Sequence, residues 1–350
     1  MPLLELAQWP VAALAFGLFV SALIIAGAGT LLTGRADEIA DRTGWGEAAV
    51  GAVLLGGATS LPGIVTSVAA AAQDHPSLAI SNAIGGIAVQ TAFLAVADIT
   101  YRRANLEHAA ASPANLTQGA LLVTLLAIPL LAMSAPEWSV LGVHPATPLL
   151  IGGYLYGVHL INAAKVAPMW RPRLTRETQT DETASKPPEP ARRGEKNGTR
   201  LQLEFAIFAT ITAVAGYAVS QFGITLADRT ALTETAVGGL FTAVATSLPE
   251  LVMALAAVRR GALTLAVSGI IGGNAFDTLF LAFSDIAWRD GSLYHRFNDQ
   301  NVFVVALTIL MTGALLLGLL RREKLGFAGI GFESTLIIAL YLGSIALLFG

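Results

Sequence analysis

The stretch Ala245-Thr246-Ser247-Leu248-Pro249-Glu250-Leu251 lies inside a long apolar segment, and its reading decides the fold. The next apolar segment holds Gly272-Gly273-Asn274-Ala275-Phe276-Asp277. Two carboxylates, Glu250 and Asp277, therefore stand where lipid or buried protein belongs. A charge near the centre of a membrane helix costs roughly 2.5–3.5 kcal/mol on insertion scales, so such a group faces a polar cavity and binds something. The stretch occurs once before, as Ala58-Thr59-Ser60-Leu61-Pro62-Gly63-Ile64, with Gly63 in the place of the Glu.

Composition agrees with a membrane setting. Of 350 residues, 54% are hydrophobic and 13% charged, against about 25% charged in soluble domains. Ten apolar segments recur, at 10–33, 46–72, 77–100, 116–135, 146–166, 203–226, 232–258, 262–287, 301–320 and 327–349. Each is long enough for one membrane helix. The first is read as a retained helix, since it lacks a basic leader. The expectation is an all-α membrane protein with the lipid bilayer as its solvent. With no cysteine, disulfides and thiolate metal sites are excluded. No His-Glu-x-x-His or Gly-x-Ser-x-Gly is present, so neither an enzyme nor a bound cofactor is expected, and no nucleic-acid partner. Oligomeric state is left open.

The one long polar stretch, about 167–201, holds Pro187, Pro188 and Pro190 and many charges, and reads as a flexible loop. It separates two five-helix halves, 1–166 and 202–350. Lys and Arg set the orientation. With the N-terminus outside, 18 of the 21 fall in inner loops and only Arg229, Arg289 and Arg296 in outer ones. Both termini are therefore expected outside a plasma or inner membrane, with the loop cytoplasmic.

Adding 187 to positions 40–99 aligns them with a second copy without a gap, about half the positions being identical. Ala40-Asp41-Arg42-Thr43 becomes Ala227-Asp228-Arg229-Thr230, Ile84-Gly85-Gly86 becomes Ile271-Gly272-Gly273, and Asp98-Ile99 becomes Asp285-Ile286. Five helices per half is an odd number, so the second copy enters from the opposite side. Two inverted repeats with a site at their interface near the midplane are a recurring transporter design.

Each Thr-Ser-Leu-Pro reads as mid-helix, where Pro62 and Pro249 lack an N–H and push away the carbonyl four residues back. They free the carbonyls of Ala58 and Ala245 and loosen those of Thr59 and Thr246. A freed carbonyl in lipid needs a partner, and a cation supplies one. Ser60 and Ser247 add hydroxyls. Ser247 and Glu250 share a helix face, as do Asn274 and Asp277. Carbonyl, hydroxyl, amide and carboxylate oxygens suit hard cations such as Na⁺ and Ca²⁺ rather than zinc or copper. Asp98 and Asp285, near helix ends, read as interfacial or structural. Glu333 reads as either buried in the last helix or interfacial. His159 and Asn162 read as a helix-packing hydrogen bond.

At these residues the chain resembles the sodium/calcium exchanger family of the cation/Ca²⁺ exchanger superfamily, whose two repeats carry Gly/Ala-Thr-Ser-Leu-Pro-Glu followed by Gly-Ser-Asn-x-Phe-Asn/Asp. The resemblance spans both repeats. It implies ten helices, four ion sites in a diamond at mid-membrane, and alternating access by sliding of the first and sixth helices. It implies ligand roles for Glu250, Asp277, Ser247 and the Thr246 carbonyl, and for Ser60 and the Thr59 carbonyl. Gln90 stands where the family has an Asn or Asp, and Asn274 keeps the motif's Asn. The departures are Gly63 for Glu, Gln90, and Gly86 and Gly273 for Ser. Three Na⁺ together become harder to hold with fewer negative groups.

The expectation is a secondary antiporter exchanging Ca²⁺ or another cation against Na⁺ or H⁺. A monovalent Na⁺(Li⁺)/H⁺ exchanger, and a non-transporting membrane sensor or partner protein that keeps the fold, stay open beside it.

Overall fold

The computed structural model describes residues 6–43, 49–101, 104–110, 112–169, 171–173, 175, 178, 198–324, 326 and 331–349. Each of the ten apolar segments corresponds to a helix or a pair of half-helices. The first span is Val11–Thr43, the second Ala49–Thr59 with Leu61–Ala72, the third Pro76–Thr100, the fourth Pro113–Ser134 and the fifth Ala146–Val166. The sixth is Gly198–Arg229, and the seventh runs Glu234–Thr246 then Leu248–Arg259. The eighth is Leu263–Ala287, the ninth Asp299–Arg321 and the tenth Phe332–Phe349. This is the ten-helix fold of two inverted five-helix repeats. Most of the 167–201 loop, and Arg102 and Arg103 of the charge count, lie outside the described residues.

Local sequence explains the punctuation. Ser112 caps the fourth span, accepting from the Ala114 N–H at 3.2 Å, with Pro113 in the first turn where its missing N–H costs nothing. Asn298 and Asn301 form a reciprocal capping box at the start of the ninth.

Depth in the bundle differs sharply between spans. In the most apolar window of the third and eighth spans, 78% and 72% of residues are buried, against 33% and 28% in the first and sixth. The third and eighth are therefore the inner pair. The first and sixth lie along one another on the outside, exposing Phe16, Phe19, Leu23, Leu203, Ile207 and Val214. At 33 and 32 residues each is about 50 Å long, well beyond a hydrocarbon core of about 30 Å. They cross tilted or project from the bilayer.

Small residues let the inner backbones touch. A Cβ on Gly85 would fall 2.5 Å from the Gly239 carbonyl oxygen, and one on Gly238 would fall 2.7 Å from that of Leu78. The third and seventh spans thus meet backbone to backbone, as small-residue faces do in lipid.

Two expectations are corrected. Each Thr-Ser-Leu-Pro was expected within a continuous helix, but the helix ends there and a new one begins. The halves bend by 67° in the second span and 46° in the seventh. Each proline falls in the first turn of the new half-helix, where its missing N–H is no defect. His159 is exposed and makes no hydrogen bond with Asn162 among the described residues. It points off the bundle, its ring 6.5 Å from that of Tyr156.

Candidate cation site

Both breaks are made by a serine in the sparsely populated bridge region: Ser60 at φ −86°, ψ 0° and Ser247 at φ −96°, ψ 4°. The seventh span adds a π-helical stretch, Val237–Thr242, just before its break. The matching positions of the second span, where described, are α-helical. Wide turns of this kind tend to mark functional sites.

The breaks face each other across the inner pair of helices. Ser60 Oγ donates to Asp277 Oδ1 at 2.5 Å, and Gln90 Nε2 donates to Asp277 Oδ2 at 2.6 Å. The same Gln90 nitrogen reaches Ser247 Oγ at 3.2 Å. One connected group thus joins Ser60, Gln90, Ser247 and Asp277 from the second, third, seventh and eighth spans. Gln90 and Asp277 are themselves 187 apart, so a repeat-related pair meets directly.

Glu250 follows Ser247 by one turn and is 6% exposed. Its Oε2 has no hydrogen-bond partner among the described residues, and neither has Gln90 Oε1 or Asn274 Oδ1. Asn274 is tied by its other end, donating to Thr91 Oγ1 at 3.0 Å. Buried acceptor oxygens without donors are costly, and a cation or a proton is what such a set accepts. Among the described residues no three acidic or imidazole side chains converge as a metal site, so a cation here would draw on amide, hydroxyl and carbonyl oxygens as well. Thr59 and Thr246 use their hydroxyls on their own helices, Thr59 on the Gly56 carbonyl at 2.9 Å and Thr246 on that of Thr242 at 3.0 Å. Only their carbonyls are left to offer.

Three contributors had no signal in the motif. Asn82 donates to Ser67 Oγ at 2.9 Å and to the Gly63 carbonyl at 3.3 Å, and accepts from Thr242 Oγ1 at 2.7 Å. It ties both broken spans to the third, and as a lone Asn in an apolar helix it was open to notice. Thr91 holds Asn274. Phe280 fills the place beside Gly63: a Cβ there would lie 2.5 Å from the Phe280 ring. The first repeat has therefore lost its acid and also the space for one.

The sequence profile described as "Sodium/calcium exchanger protein" matches residues 13–151 and 203–350. The chain belongs to the sodium/calcium exchanger protein family. That makes it a multi-pass membrane protein and a cation antiporter. Solved structures share the fold. A crystal structure of the H⁺/Ca²⁺ exchanger CAX aligns at 13% identity and TM-score 0.65, over 97% of this chain and 85% of that one. Native YfkE aligns at 14% and 0.62, over 99% and 94%. The sodium-calcium exchanger NCX_Mj soaked with Na⁺ and Sr²⁺ aligns at 20% and 0.57, over 95% and 98%. No match was found among curated proteins.

Proposed function

We propose that this exchanger moves Ca²⁺, or a similar hard divalent cation, in exchange for protons. The 1–166 and 202–350 halves would form the two sides of the site, and both termini would face outward with the 167–201 loop in the cytoplasm. Glu250 and Asp277 would bind Ca²⁺ on one leg of the cycle and a proton each on the other. Ser60, Ser247, Gln90, Asn274 and the carbonyls of Thr59 and Thr246 would complete the shell.

The observation that carries this reading is the set of unpartnered buried oxygens on Glu250, Gln90 and Asn274, in a site with two carboxylates and Phe280 where a third would stand. Two negative charges balance one Ca²⁺ or two protons. Three Na⁺ would leave a net positive charge in a medium of low dielectric, where each cation repels the next.

Reconstituted vesicles test it. An imposed pH gradient should drive Ca²⁺ uptake with counter-movement of protons, while a Na⁺ gradient at fixed pH should not. Glu250→Gln, close to isosteric, should lower the rate at least about 100-fold, the loss of roughly 2.7 kcal/mol. Na⁺ or Li⁺ moving against protons without Ca²⁺ flux would favour the monovalent exchanger instead. Undiminished Ca²⁺ flux in Glu250→Gln would remove that residue from the mechanism.

A further inference from the structure

The offset of 187 continues past the mid-membrane motif and relates the two ends of the bundle. At one end Asp285 Oδ1 accepts from the Leu293 N–H at 3.0 Å, and its Oδ2 accepts from the His144 N–H at 2.9 Å and the Thr147 hydroxyl at 2.6 Å. At the other end Asp98 Oδ1 accepts from the Leu106 N–H at 2.6 Å and its Oδ2 from the Gly331 N–H at 3.2 Å. Leu106 and Leu293, His144 and Gly331, and Thr147 and Ser334 are all 187 apart. Each aspartate pins the end of one helix to the backbone leading into another, and does so in the same way.

One position breaks the match. Tyr294, beside Asp285, corresponds to Glu107, beside Asp98. The Tyr294 hydroxyl lies 3.0 Å from that of Thr147, and Glu107 Oε1 accepts from the corresponding Ser334 hydroxyl at 2.9 Å. So a neutral phenol does the structural work at one end, and the fold has no need of an acid there. Glu107 is nevertheless a carboxyl 3% exposed, and its Oε2 has no hydrogen-bond partner among the described residues.

The charges around it do not neutralise it. Asp98 comes from the third span. Glu333 comes from the tenth, and its stem and that of Glu107 converge on Gly318, whose Cβ would meet them at 2.8 and 3.2 Å. Arg321 of the ninth span lies 3.9 Å from Glu333 and is 60% exposed. Arg322 donates to the His108 carbonyl and the Thr178 hydroxyl. His108 uses its ring on the Arg322 carbonyl and the Thr175 hydroxyl. Burial first, and the Asp98 charge second, push the Glu107 carboxyl up to about 7. The described acidic groups do not form a metal cage, which leaves a proton as the ligand.

We propose that Glu107 is a proton-binding site, separate from the cation site, on the membrane face that bears the 167–201 loop. It is neutral when that side is mildly acidic. It ionises as that side turns alkaline, and its charge then opposes Asp98 and Glu333 and loosens the junction of the third, ninth and tenth spans. Asp98 lies eight residues from Gln90 on the third span, so the junction bears on the helix whose Gln90 donates to Asp277.

Infrared spectroscopy of the full chain in lipid tests this without any transport. The carbonyl band of a protonated carboxylic acid should fade between about pH 5.5 and 8.5, with a midpoint near 7. It should persist when Glu250→Gln and Asp277→Asn are combined, which removes the acids of the cation site, and vanish when Glu107→Gln is added to that background. Glu107→Tyr, which copies the other end of the molecule, guards against a folding failure and should lose the band too. In vesicles, both Glu107 variants should keep exchange, with only the pH dependence that the transported protons themselves impose. A band that survives both Glu107 substitutions in the Glu250→Gln, Asp277→Asn background, or no titrating band in that background with Glu107 intact, overturns the proposal.

Discussion

The two broken helices are close copies in backbone and unlike in chemistry. Each breaks at a serine in the same conformation, and each proline is covered by a glycine of an outer helix. A Cβ on Gly29 would fall 2.7 Å from the Pro249 ring, and one on Gly216 would fall 2.6 Å from the Pro62 carbonyl oxygen. Gly29 and Gly216 are themselves 187 apart. Three residues beyond the serines the copies part: Glu250 in one, Gly63 against Phe280 in the other. Symmetry is kept where the helix must bend and an outer helix must pass close. The acid has been given up in one copy, and the vacancy has been packed.

The largest effects should come from breaking the shared part. Gly216→Ala sets its methyl against backbone, which cannot move aside, whereas Gly29→Ala meets a proline ring. Overpacking of this kind costs about 1–3 kcal/mol. Gly216→Ala should lower thermal stability and exchange more than Gly29→Ala, as melting curves and vesicle uptake of the two proteins will show. Equal effects would mean that the two outer helices are held alike despite the different contacts.

A smaller, more specific effect should follow from restoring the lost acid. Gly63→Glu alone meets the Phe280 ring and should express poorly or exchange slowly. Combined with Phe280→Ala it should fold, and Ca²⁺ uptake should become sensitive to membrane potential because the site then carries a third carboxylate. Normal folding of the single variant would show that the ring yields. The smallest effect belongs to Gly86→Ser and Gly273→Ser. Their Cβ atoms would sit 3.6 Å from Ser247 Oγ and from Gln90 Oε1, an ordinary contact, so both variants should fold with less loss of stability than Gly216→Ala. Uptake by these two variants at limiting Ca²⁺ measures what the missing hydroxyls were worth.

Much of this was legible before any coordinates. The apolar periodicity gave ten spans, and the 187-residue offset gave their pairing. The cost of a membrane carboxylate singled out Glu250 and Asp277, and the prolines marked where helical hydrogen bonding fails, though not that each helix ends there. What stayed hidden depended on contacts between distant segments. Nothing local to Gly63 says that Phe280 lies on it. Nothing local to Asn82 says that it joins the second, third and seventh spans. The likeness of the repeats, identical at about half the positions of 40–99, also concealed a difference: Glu107 and Tyr294 fall just beyond the region whose identity is obvious, and only their matched partners, Ser334 and Thr147, show that they occupy one position. His159 was misjudged because a three-residue spacing sets a shared face but not whether that face meets protein or lipid.

The central claim is that two carboxylates, both from the second repeat, carry the cation and its counter-ion in turn. The most direct measurement is the charge moved per cycle, read as Ca²⁺ uptake driven by a fixed pH gradient in vesicles whose membrane potential is clamped over a range of values. A site that alternates between one Ca²⁺ and two protons moves no net charge, so the rate should not change with potential. A rate that rises steadily as the interior is made negative, with Ca²⁺ entering, would mean that fewer than two compensating charges return, and would contradict the account.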